Sequence, residues 1–379
     1  MVMKRLINLI IFFFILSLIG SNFILAATSQ KIKIRKENEV EVIYNPKKPE
    51  PPAGIPTRLI LEEEFTIGRG ESEATTFSQL VYFAVDSKGI VYALDSQECV
   101  VKVFDNQGKF LRSFGRKGQG PGEMNLPVGL QITPASEIVI EDPLNQRLVY
   151  FSPEGSFLKT TPTAKVLGLL GLLLDTKGNL IGRQMTVAEN KMFWEVKKYS
   201  PELTPLFTVG RTDFSNPLEG KIDPFSYLII YELSPSDYIF YGNALNYEIK
   251  VFSEEGKLCR RIIKEYDPVK ITEEEKKKLI SQFPDAGFNI KERVVCPDYY
   301  PPYQLFSADE EGRLLVRTYE KGKAQGETVY DVFDQQGRLI SRIPLKIIPR
   351  VWKNKKLYAI EETEEGYNVL RCYRISWTT

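Results

Sequence analysis

The 379-residue chain contains no histidine. That absence removes imidazole charge relays, His-ligated zinc and haem on a proximal His. Any catalysis would have to use carboxylates, Tyr, Lys, Arg, Cys or an oxygen-ligated metal. Cysteine is scarce, at Cys99, Cys259, Cys296 and Cys372, and no two form a CxxC pair. A zinc ribbon or a thioredoxin-like motif therefore has no support, and scattered buried thiols are the simple reading. Export would leave disulfides among them open. An excess of charge of either sign is also missing: 50 Lys and Arg face 49 Asp and Glu. Such a body exerts no long-range pull on a polyanion, which argues against nucleic acid as a partner.

What the chain has begins at its N-terminus. Lys4 and Arg5 precede a nearly unbroken apolar run, Leu6–Ala27, with small residues at Ala26–Ser29. This reads as a secretory signal peptide over residues 1–27. An uncleaved anchor is the alternative, because the run is long enough to span a bilayer. Either reading puts the body outside the cytoplasm, in the periplasm, cell envelope or medium. Membrane contact is expected only through this segment, if it is retained. Residues 28–57 follow, with "NPKKPEPPAGIP" at 45–56. Proline at this density favours extended, unpacked chain and predicts a tether.

The body repeats itself. "VFDNQG" (103–108), "YFSPEG" (150–155), "KYSPEL" (198–203), "VFSEEG" (251–256) and "VFDQQG" (332–337) share an aromatic followed by a tight turn, and "CYRIS" (372–376) keeps the aromatic. The anchors Phe104, Phe151, Tyr199, Phe252, Phe333 and Tyr373 are 47, 48, 53, 81 and 40 residues apart. Each full unit reads as four short strands: "LVYFAVD", "GIVYALD", "CVVKVFD" and "KFLRSFG" in the first. Four-stranded units at this period predict an all-β, six-bladed β-propeller over 58–379. The sixth unit is one strand short. "LILEEEFTIGRGE" (59–71) aligns with "KFLRSFGRKGQGPGE" (109–123), so the N-terminal strand Arg58–Ile67 is expected to complete it and remove the open edges. The long spacing holds an insertion at 264–302, between blades four and five. Thr272 and Glu275 form a capping-box pair there and predict a helix from about Glu273 to Phe283. Ile280 and Phe283 would anchor that helix. Tyr299, Tyr300 and Tyr303 follow and would suit a partner surface.

"GRKGQGPGEMNLP" (115–127) invites comparison with phosphate loops. A dinucleotide fingerprint needs glycine at position 123, which is Glu, and a Walker loop needs Gly-Lys-Ser/Thr. Val128–Ile132 beyond it reads as strand rather than helix. The loop instead predicts a compact crossing from one blade to the next. It shares a face with the loops joining second to third strands, which makes Arg116, Lys117, Gln119 and Asn125 candidate ligand-binding residues. The acids of "VDSKG", "LDTKG" and "ADEEG" lie at hairpin turns on the opposite face and lack calcium-loop spacing.

"FGRKGQGPGEMNLPVGLQI" (114–132), with "VDSKGIVYALDSQECVVKVFDNQGKFLRSFG" (85–115), resembles NHL-repeat six-bladed propellers, in which a Gly-Pro-Gly-Glu loop leads to a Pro and an inner strand. The resemblance extends over roughly 58–376 and is strongest in the first blade. Blades three, four and six lack the Gly-Pro-Gly-Glu loop. It implies a fold like that of exported bacterial propellers, a group largely without assigned activity. Some six-bladed propellers are calcium-dependent lactonases or esterases with Asp, Asn and Glu converging in the channel. The innermost strands here, "VYFAVD", "VGLQIT", "LGLLLD", "LIIYEL", "QLFSAD" and "PRVWK", are mostly apolar. The expectation is therefore an extracytoplasmic module that needs no cofactor and no metal and binds a protein, peptide or glycan on its loop face. The alternative is a calcium-dependent hydrolase working in the channel.

Overall fold

Alternating apolar residues, punctuated by Asp- or Ser-led turns, fold the chain into six sheets around a central channel. The computed structural model describes residues 31–379 apart from 70, 71, 73, 189, 190, 215–219, 227, 244 and 284–289, so the predicted signal peptide lies outside the described residues. The innermost strands, in blade order, are Leu80–Val85, Gly129–Ile132, Leu170–Leu174, Ile230–Leu233, Leu305–Ala308 and Val351–Lys353. Five blades are built from four consecutive antiparallel strands. The sixth takes its outer strand from the N-terminal side, as the repeat alignment predicts. Arg58–Ile67 pairs with Asn368–Thr378 from Leu370 opposite Ile67 to Thr378 opposite Arg58.

The turn chemistry accounts for the repeat. Asp86 Oδ1 accepts the N–H groups of Lys88 and Ile90. Asp175 does the same for Lys177 and Asn179, and Asp309 for Glu311 and Arg313. These carboxylates are spent on their own hairpins. The glycines between third and fourth strands serve two ends. Gly108, Gly155 and Gly256 have φ of +80°, +98° and +86°. A Cβ at each would also lie 2.7 Å from Phe65, Phe114 or Phe207, on the outer strand of the preceding blade. Glycine is thus needed both for the turn and for blade-to-blade contact. The repeat aromatics are buried in five blades, just before these turns at Phe104, Phe151, Tyr199 and Phe333 and within the last strand at Tyr373.

Within the predicted tether, the described residues 31–57 do more than link. Lys33–Glu37 and Val40–Asn45 form a hairpin. Its second strand runs parallel to Leu258–Lys264 and widens blade four to six strands. The signal is the β-branched run in "VEVIY", whose adjacent residues Val42 and Ile43 are both fully buried. The prolines that follow obscured it. Asn45 fixes the junction: its side chain donates to Gly337 O at 3.0 Å and accepts from Leu339 N at 2.7 Å. The Pro-rich segment then passes outside blade five, where Glu50 N donates to Leu339 O. Extended chain with few N–H groups suits that path.

In the insertion, the helix runs Glu273–Ser281 with the full capping box between Thr272 and Glu275. None of its residues is fully buried. Ile280 and Phe283 are half-buried, and ion pairs Lys276–Asp298 and Lys321–Glu275, both at 3.1 Å, hold the helix by its polar side. All four cysteines are unpaired: Cys99 and Cys372 are buried, Cys259 and Cys296 half-buried.

Candidate functional site

In each blade the loops between second and third strands, and the crossings to the next blade, share one face. The tight turns occupy the other. Large exposed apolar side chains divide unevenly between the two. Among the described residues, Leu126, Leu144, Leu167, Val187, Leu245, Val295, Tyr299 and Tyr367 are exposed on the loop face. Tyr238 is exposed at a hairpin of the turn face, Leu111, Phe157, Leu158 and Leu206 lie on fourth strands just beyond its tight turns, and Ile34, Val81 and Tyr82 lie elsewhere on strands. A cavity of about 260 Å³ beside Tyr238 is lined by groups already engaged: Glu310 accepts the N–H groups of Asn354 and Lys355, and Arg260 pairs with Glu41.

The glycine-rich crossing carries its own anion. Arg116–Lys117 pairs with Glu123–Met124 as a short parallel ladder. Glu123 folds into the loop, accepting from Gly120 N at 2.8 Å and Arg116 Nε at 2.9 Å. The Gly120 N–H, then Arg116, hold its carboxyl below the usual range. A Cβ at Gly118 would overlap this carboxylate, so the space a phosphate would need is filled. Arg147 from blade two clamps the loop further, donating to Gln119 O, Gly120 O and Glu123 O while pairing with buried Asp142. Of the four predicted binding residues, Arg116, Lys117 and Gln119 are exposed on the loop face. Asn125 is half-buried and its N–H is held by Asp142. Sequence alone gave no sign of Arg147, which lies a blade away.

The predicted tyrosine surface divides. Tyr299 is exposed. Tyr300 stacks on Tyr319, with centroids 4.2 Å apart, and meets Phe225 edge-on. Tyr303 is a correction: it is fully buried in the core between blades four and five, and its hydroxyl donates to Glu248 O at 2.9 Å. Gly242, where a Cβ would overlap the Tyr303 hydroxyl, makes the room for it.

The channel contains polar groups that the apolar look of the inner strands concealed. Glu141 sits on the second strand of blade two, opposite Gly129. Its carboxylate reaches past that glycine to the inner strand of blade three. There it accepts from Gly171 N at 2.8 Å and Leu172 N at 2.9 Å. Those N–H groups are free because the ladder is irregular between Leu170 and Leu173, with Gly171 at φ +68°. Tyr231 of blade four completes the link, donating to Gly171 O at 2.6 Å. Burial outweighs the two N–H bonds and pushes the Glu141 carboxyl up to about 7. Glu232, on the inner strand of blade four, is likewise pushed up to about 7 by burial. Among the described residues no three Asp, Glu or Cys side chains are grouped to hold a metal ion.

The comparisons agree on the fold. A family model described as a 6-bladed beta-propeller, DUF5128, matches residues 79–213. A Bacteroides fragilis protein classed as exported shares 13% identity over 88% of this chain and 99% of its own, with a TM-score of 0.54. A DUF4221-family member from Bacteroides vulgatus shares 12% identity over 85% of this chain and all of its own, with a TM-score of 0.51. No curated protein matches the sequence. At these identities the likeness concerns fold alone.

Proposed function

We propose that this protein is an extracytoplasmic binding module that seats a protein or peptide on its loop face. The observation that carries the reading is the bias of exposed apolar side chains toward that face. Among the described residues, eight of the sixteen lie on the loop face, against five at or beside the tight turns, with the rest on strands between. Scattered exposed leucines need no explanation, but a bias toward one face of a ring does. Six of the eight are Leu or Val, which suit the apolar surface of a polypeptide better than a sugar ring, whose usual platform is aromatic. The charged rim residues Arg116 and Lys117 would set orientation at the edge of such a contact. The apolar run at 6–27, read as a leader, supports a body outside the cytoplasm. Among the described residues no helix is long and apolar enough to cross a membrane.

Placing charge in the contact tests this reading. The double variant Leu144→Lys/Leu245→Lys alters blades two and four without touching the core. It should lower recovery of the partner from solubilised envelopes by about tenfold or more, the effect of losing a hot-spot residue. Tyr238→Lys, on the turn face, should leave recovery unchanged. Equal recovery with both variants would refute the assignment of the loop face.

A further inference from the structure

We infer that the outer edge of the N-terminal hairpin, Lys33–Glu37, is a strand-addition site for an extended acidic segment of a partner protein. A sheet edge presents unpaired N–H and C=O groups, and bulges are one way that natural sheets blunt it. In all six blades the fourth strand meets the third through a ladder whose register shifts. Each shift gives the fourth strand an extra residue. In five blades that bulged strand is also the rim. Blade four differs: the hairpin covers its fourth strand, and Lys33–Glu37 becomes the rim. The ladder of Lys33–Glu37 with Val40–Asn45 is regular throughout, and no proline interrupts it. Among the described residues no backbone group pairs with its outer side.

The turn decides which backbone groups are free. Asn38 and Glu39 have φ of +46° and +69°, the two positive values of a type I′ turn. Such a turn hydrogen-bonds Glu37 to Val40. Alternation then bonds Arg35 to Val42 and Lys33 to Tyr44. Ile34 and Lys36 therefore aim their N–H and C=O groups outward. Lys33, Ile34, Arg35 and Lys36 are all exposed, Ile34 at 53%.

The side chains select the partner. Lys33 and Arg35 stand on one face of the strand, Ile32 and Ile34 on the other. The acids of the hairpin are taken. Glu37 accepts from the Tyr44 hydroxyl at 3.1 Å and pairs with Arg261 at 3.3 Å, and Glu39 pairs with Lys36 at 2.9 Å. Arg35 lies over the Tyr44 ring, at 5.8 Å. Cations on an edge deter neutral and basic strands, but an acidic strand gains from them. Pairing of two copies about Ile34 would set Lys33 opposite Arg35, so self-association is opposed by like charge. The strand that fits alternates acidic with apolar residues. Its acids meet Lys33 and Arg35, its apolar side chains meet Ile32 and Ile34, and its main chain bonds to Ile34 and Lys36. This edge lies on the circumference of the ring, apart from the loop face, and its occupancy does not depend on the binding proposed there.

Fluorescence anisotropy of the purified full-length protein tests the site, with a labelled peptide of alternating Glu and Val as probe. The peptide should bind with a Kd below about 1 mM, and a Lys/Val peptide of the same length should not. Ile34→Pro removes one outward N–H and leaves the inward ladder intact, and should weaken binding by about tenfold or more. Lys33→Glu/Arg35→Glu should lose the Glu/Val peptide and take up the Lys/Val peptide instead. Leu144→Lys/Leu245→Lys should bind as the intact protein does, so failure of the loop-face reading and of this one are separable. Melting curves check that the variants stay folded. Absence of Glu/Val binding up to about 1 mM, or equal binding by a folded Ile34→Pro variant, would overturn the assignment. So would a dimer that Ile34→Pro dissolves. Binding to phosphatidylglycerol vesicles that Lys33→Glu/Arg35→Glu abolishes, without binding to the peptide, would make the edge a membrane contact and equally overturn it.

Discussion

Deleting Arg58–Ile67 should turn the protein from a soluble ring into an aggregate. This strand is the outer member of blade six, and the ring closes through it. Without it, the 11-residue strand Asn368–Thr378 becomes an open edge. Core contacts are lost at the same time. Ile67 is buried, Phe65 meets Tyr358 edge-on, and Leu59 and Leu61 pack into the cluster between blades five and six. The ion pairs Arg374–Glu64 and Arg371–Glu63 lie at the surface and contribute little. The ladder and its apolar face hold the closure, and a long unpaired edge invites pairing between chains. Size-exclusion chromatography should show the deletion variant in the void volume, without a cooperative melt. A monomeric variant with the melting profile of the intact protein would contradict closure by this strand.

Glu141→Gln should remove a large pH dependence from stability. In the folded protein the Glu141 carboxyl titrates at about 7, against an ordinary value of 4.5. A raised carboxyl favours folding while it is protonated. Its contribution is complete below about pH 4.5 and is lost as pH climbs through 7. The span corresponds to on the order of 3 kcal/mol. Glutamine cannot ionise, though it accepts only one of the two N–H groups of Gly171 and Leu172 as fully as the carboxylate does. The variant should therefore gain about 3 kcal/mol on the intact protein between pH 5 and pH 8. Denaturant unfolding at both pH values measures this. Parallel pH profiles would show that Glu141 does not titrate in the strut between blades two and three.

The fold was legible because its devices are local. The Asp and Gly of each hairpin, the aromatic before it, and the capping box at Thr272–Glu275 all act within a few residues. The 33–45 hairpin was missed because its partner strand lies more than 200 residues away and five prolines follow it. Tyr303 looked like surface because a tyrosine next to "YYPP" gives no sign of whether its ring points inward. The opening created by Gly242 becomes visible only with the blades assembled. The channel was illegible for a related reason. Glu141 reaches it from a second strand, across a glycine, and ends on backbone N–H groups that have no sequence signature. "GRKGQGPGEMNLP" shows both sides: the sequence excluded a phosphate loop, and the structure added that Glu123 occupies the space.

Hydroxyl-radical footprinting, comparing the purified protein with the protein in intact cells, tests the loop-face assignment most directly. Leu126, Leu144, Leu245 and Tyr299 should be labelled several-fold less in cells than in isolation, while Tyr238 on the turn face is labelled equally in both. Uniform labelling, or protection confined to Tyr238 and its neighbours, would contradict it.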